Sequence, residues 1–168
     1  MQTFSKKPRF IKPPNKLKAK VGAGGIDETL LDRAQNFIKT VEIDFKPIAL
    51  DFLSEIKVAM KKAREANDIE TRTKAKEELA RAIMQLKANG GMFQYQLISE
   101  IAALALYFLE SVEELNEDSI QVIAVHEKAI QIIVANNMSG DGGQEGYALV
   151  KELEKACDRF YKKYPPKQ

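Results

Sequence analysis

The stretch LLDRAQNFIKTVEIDFKPIALDFLSEIKVAMKKA, residues 30–63, decides the fold. Its apolar positions run Leu30, Ala34, Phe37, Val41, Phe45, Ile48, Phe52, Ile56, Ala59 and Ala63, nine successive steps of three or four residues. A strand would need a step of two; steps of three and four draw one stripe along a helix of 3.6 residues per turn. Asp27 is placed to cap the first turn, with Ile26 and Leu31 spaced as a hydrophobic staple across it. Pro47 interrupts the stripe by removing one backbone hydrogen bond and crowding the carbonyl four residues back. Because the stripe keeps phase across the proline, the expectation is one long helix kinked at Pro47. Two helices joined without a loop are the alternative.

Downstream the same periodicity recurs. Asn67-Asp68 stops one helix and starts the next, from about Ile69 to Ala88, with a thin stripe of Ala75, Leu79, Ala82, Ile83 and Leu86. Its charged remainder, with Glu70–Lys74 and Glu77–Arg81 at i,i+4, puts it on the outside. Asn89-Gly90-Gly91 reads as its left-handed cap. A third helix, about Phe93 to Leu115, is apolar nearly all round from Leu97 to Leu109 and belongs in the middle. Asn116 caps a fourth, running to about Asn136, whose β-branched residues leave a strand at Ile130–Val134 as the alternative. A fifth starts near Gln144, carries Gly146, Val150, Leu153, Cys157, Phe160 and Tyr164 on one face, and stops at Pro165-Pro166. The fold class expected is all-α: an antiparallel bundle of four or five helices over residues 27–164, with 165–168 as a tail.

Upstream, residues 1–26 have no apolar period. Pro13-Pro14 and Gly22-Ala-Gly-Gly25 bracket a lysine-rich run, so an extended or disordered arm is expected. The chain has a net charge of +2, unevenly spread. Seven of its 26 Lys and Arg lie in residues 1–25, which hold no acid; the other 19 face 24 acids, so the body carries about −5. Phe10, Ile11 and Leu17 sit among these cations as anchors that a purely solvating tail lacks. Arg9, Phe10, Ile11, Lys12, Pro13, Pro14, Lys16, Leu17, Lys18 and Lys20 are therefore the candidate partner-binding residues. A protein that reads the pre-extended Pro-Pro segment is the first expectation. A nucleic-acid backbone or an acidic membrane surface is the second, and a homodimer through the first helix is a further possibility.

Composition excludes several chemistries. Cys157 is the only cysteine, so an intramolecular disulfide and cysteine-based zinc sites are out, which suits a reducing compartment. MQTFSKKPRFIKPP lacks the apolar run of a secretory signal, and Ile101–Leu109 is about half a membrane span; a cytoplasmic protein is expected. No cofactor or metal is called for, and no group of residues makes a catalytic constellation. Glu100 is the acid most open to desolvation on the apolar third helix, with pairing or an edge position as the plainer outcome. Glu113-Glu114 and Glu117-Asp118 read as a solvated helix junction. The run Gly140-Asp-Gly-Gly-Gln-Glu-Gly146 opens a helix as a phosphate cradle would, but it has neither the fingerprint spacing nor a cation. A connection using left-handed glycines is the expectation there.

His126 is the only histidine. It shares a face with Val122, Ala129, Ile130 and Ile133, as a structural core histidine would. A lone histidine midway along a bundle helix also resembles the layout of histidine-containing phosphotransfer domains, which implies a phosphoryl acceptor. Those domains place lysine three residues after the histidine and then glycine. Here His126-Glu-Lys128-Ala-Ile130 sets the lysine one place early, turned away by ~100°, with no glycine. The arm, from Phe10-Ile-Lys-Pro-Pro-Asn-Lys-Leu through Gly24-Gly25-Ile26-Asp27, resembles those of bacterial signalling and chemotaxis-associated proteins over under a fifth of the chain. That resemblance implies a non-enzymatic adaptor or regulatory protein and gives no residue a role.

Overall fold

The computed structural model describes residues 27–40 and 44–165. By contacts the chain divides into two units, residues 1–43 and 44–168. Among the described residues there are six helices and no strand. Ile130–Val134 is helical, so the strand alternative and the phosphate-loop reading that depended on it fall away.

The first unit contains α1, Glu28–Thr40. Asp27 caps it as its position predicts: its carboxylate accepts from the Thr29 N–H at 2.9 Å and from the Thr29 hydroxyl at 2.8 Å. Those two bonds hold the Asp27 carboxyl below its ordinary pKa. Leu30 and Leu31 are exposed. The staple partner Ile26 and the whole arm lie outside the described residues.

The second unit begins with α2, Phe45–Glu65, where the expected Pro47 kink is corrected. Asp44, with extended backbone, caps a new helix by accepting from Lys46 N–H at 2.9 Å, and Pro47 is its third residue. The first-turn N–H groups of a helix have no partner within it, so proline costs nothing there. The stripe stays in phase because each helix separately carries an apolar face.

Asp68 caps α3, Ile69–Met92, through the Thr71 N–H and hydroxyl, both at 2.7 Å. Here Asn89-Gly90-Gly91 is corrected: the helix runs through it, and Gln94 supplies the left-handed residue at φ 63°. Gly90 is instead a point of close packing. A Cβ there would sit 3.1 Å from the Ser99 backbone nitrogen and 3.2 Å from the Tyr95 carbonyl oxygen. The missing side chain lets α4 start against α3, with Tyr95 N–H donating to the Gly90 carbonyl at 2.7 Å.

Helix α4, Gln96–Ser111, is shorter than its hydrophobicity predicts because Val112 and Leu115 bury themselves from the following loop. Lys76 reaches across from α3 to the Val112 carbonyl and pins that loop. Asn116 and Ser119 form a reciprocal capping box that opens α5, Glu117–Ala135. Helix α6, Gly143–Lys163, buries Gly146, Val150, Leu153, Cys157 and Phe160 as expected, while Tyr164 stands just beyond it with its hydroxyl on Asp118.

Side-chain bridges give the directions. Lys62–Glu78 joins the end of α2 to α3; Lys46 to the Ala135 carbonyl and Arg64 to Glu117 tie opposite ends of α2 and α5. Helices α2, α3, α4 and α5 thus form a closed antiparallel ring, each packed on the next and α5 on α2. Helix α6 lies outside the ring against α4 and α5. It runs antiparallel to α5, as Lys163–Asp118 shows, and alongside α4 in the same direction, as Leu97 beside Gly146 and Ser111 beside Tyr161 show. None of the described helices is long and apolar enough to cross a membrane.

Two adjacent glycines test this packing. Gly90→Ala presses a methyl against backbone that cannot yield, so urea unfolding should show a loss of about 1–3 kcal/mol. At Gly91 the nearest neighbour would be the Ser99 hydroxyl at 3.6 Å. Gly91→Ala should therefore gain roughly 0.5–1 kcal/mol from helix propensity.

Candidate functional site

The antiparallel register of α5 and α6 brings together two residues that fall separately on their helices' buried faces. His126 is 1% exposed. Its Nδ1 lies 2.7 Å from the Val122 carbonyl oxygen, one turn earlier. A carbonyl only accepts, so Nδ1 carries the proton and donates. In the neutral ring Nε2 is then bare, and it faces Cys157 Sγ at 3.9 Å. The thiol is the donor of that weak contact.

Burial sets the charge state of both partners. Desolvation lowers the His126 pKa, and the bond to Val122 only partly opposes it. Desolvation, reinforced by Asp158, pushes the Cys157 thiol up to about 11. The pair is a neutral imidazole and a neutral thiol, the reverse of the thiolate–imidazolium pair that nucleophilic catalysis uses. A phosphoryl acceptor has to offer a bare ring nitrogen to an incoming donor. His126 Nε2 is enclosed between two helices.

Beside it, Glu127 is only 6% exposed, although in the sequence it looks like one of several charges on the helix. Its Oε1 lies 3.4 Å from Lys57 Nζ on α2, yet has no hydrogen-bond donor. Nothing in the local pattern distinguishes it from an exposed glutamate; only the placement of α2 does.

The glycine run after α5 is a helix connection. Gly140, Gly142 and Gly143 all have positive φ, and Asp141 accepts from the Gly143 N–H at 2.9 Å. Gly140 is tied to the start of α4, donating to the Gln94 carbonyl at 2.7 Å and accepting from Leu97 N–H at 3.0 Å. Gly146 lies under the Asp141 carbonyl, where a Cβ would come to 2.3 Å. Glu100 is exposed at the bundle edge.

At the end of the ring where α4 and α6 finish, a cleft of about 850 Å³ opens between the Glu113-Glu114 turn and Lys163-Tyr164. Both glutamates are exposed, as a solvated junction requires. Asp118 accepts from Lys163 and from the Tyr164 hydroxyl, and these bonds hold its carboxyl below the usual range. A second groove, of about 310 Å³, runs between α5 and α6 with Val122, Val125, Ala156 and Phe160 along it. No group of three or more His, Cys, Asp or Glu among the described residues could hold a metal ion. The ten arm residues from Arg9 to Lys20 lie outside the described residues. No protein-family model, curated protein or solved structure matches this chain.

The Lys57–Glu127 pair has an asymmetric expectation. Lys57→Met strands a buried carboxylate and should destabilise the fold by about 1–3 kcal/mol. Glu127→Leu removes the under-bonded acid and should be neutral or stabilising at pH 7 in urea unfolding. Equal losses in the two variants would contradict an enclosed, under-bonded Glu127.

Proposed function

We propose that this protein is a non-enzymatic adaptor or regulatory protein that binds a protein partner, and that α1 with the basic arm before it is the element it offers. The observation that carries the reading is the exposure of Leu30 and Leu31, 57% and 42%, at the head of a regular apolar stripe. A short amphipathic helix with anchors at i, i+4 and i+7 suits the helix-in-groove mode of recognition, and Leu30, Ala34 and Phe37 have that spacing. The seven cations of the arm favour an acidic rim on the partner and would speed encounter at low salt. The ring of α2 to α5 supplies a stable body from which such an arm is presented. The neutral, enclosed state of His126 favours this reading over phosphotransfer.

Three forms of the full chain test it: wild type, a deletion of residues 1–25, and Leu30→Asp/Leu31→Asp. Each groove-bound leucine is worth about 1.5–3 kcal/mol, so the double variant should weaken a captured partner by about a hundredfold or more. The deletion should weaken it less and flatten its salt dependence. Thermal unfolding of the bundle should move little in either. Retention of the partner by the double variant at wild-type affinity would refute the assignment of α1.

A further inference from the structure

The ring of α2, α3, α4 and α5 closes on itself, and α6 is an addition to it, packed, among the described helices, on α4 and α5 alone. What α6 covers is apolar: Phe160 packs edge-on against Phe108 of α4 at 5.0 Å between ring centroids, and Gly146 sits on Leu97. The one polar side-chain contact buried in that seam is His126 against Cys157. Its arrangement favours the neutral ring. With Nδ1 already donating to Val122, a proton on Nε2 would point a second N–H at a thiol sulfur, which is a poor acceptor and far from ionising. Among the described residues no charged group is placed to receive the imidazolium. The buried residues of α4 are all apolar, Glu127 on α5 is paired with Lys57 of α2, and on α6 the acids Glu154 and Asp158 act on the thiol. The connection into α6 turns through the left-handed Gly142 and Gly143, while Gly140 stays bonded to α4. A swing of α6 therefore starts at a fixed point.

We propose that α6 is an acid-released strap: protonation of His126 frees it from a four-helix ring that stays folded, uncovering the groove between α4 and α5 around Phe108 and Leu97. At neutral pH the imidazole needs no proton, and apolar burial keeps the strap shut. Below about pH 6.5, where a free imidazole binds a proton and the enclosed one resists it, each unit of acidification favours release about tenfold. The direction follows from linkage: the open state holds more protons, so closure strengthens as pH rises through this window and is constant above it.

Native-state amide exchange, corrected for intrinsic rates, tests this between pH 7.5 and 5. The opening constant of α6 amides should climb close to tenfold per pH unit below about 6.5, while α3 amides keep theirs, and His126→Leu should abolish the slope. Because His126 is the only histidine, its ring proton signals in wild type give an independent reading should that variant not fold. The ring should take up its proton over the same range in which α6 opens. Loss of protection in α3 together with α6, a slope that survives in His126→Leu, or a ring that protonates while α6 stays protected would each overturn the strap.

Discussion

The covering of α4 governs the unit from Asp44 onward. Eight of its 16 residues are buried, and they spread round the helix and leave only a narrow exposed line through Gln96, Glu100, Tyr107 and Glu110. One neighbouring helix covers about a third of a cylinder, so covering such a helix completely takes three. Helices α3, α5 and α6 do so. The antiparallel ring follows because short connections bring α3 and α5 back along α4, and α2 is then needed to cover the inner faces of both.

Much of this was legible in the residues because burial leaves a period. The stripes of α2 through α6, the caps at Asp27, Asp68 and Asn116, and the central place of the third apolar segment all follow from spacing and cap chemistry. What failed was punctuation. Pro47 looks like a kink when only the phase of the stripe is considered, whereas Asp44 three residues earlier turns it into an ordinary first-turn proline. Asn89-Gly90-Gly91 has the composition of a stop signal, but Gly90 serves the approach of α4, a tertiary fact that no local pattern contains.

The His126–Cys157 contact was illegible for a related reason. Each residue falls on a buried face, which by itself argues for inert packing. Their meeting depends on the register between α5 and α6, and the tight glycine turn at 140–143 sets that register. Glu127 is the opposite case: neighbouring charges mask it in the sequence, and only the position of α2 shows that it is enclosed. The polar side chains of this interior are thus decided by packing between helices, and the apolar ones by periodicity within them.

That distinction bears on how the molecule responds to its surroundings. The ion pairs that tie α2 to α3 and α5, Lys62–Glu78 and Arg64–Glu117, are partly or wholly solvated and each contributes little, about 0–1 kcal/mol. Asp118, at the far end of the α5–α6 seam, has its carboxyl held below the usual range by Lys163 and Tyr164. Between about pH 6.5 and the carboxylate range, the side chain with an ordinary pKa in reach is His126, and it stands in the one interface that the closed ring does not require. An apolar pair at 126 and 157 would hold α6 at least as firmly and at every pH. The imidazole makes that hold conditional, and it confines the condition to one helix.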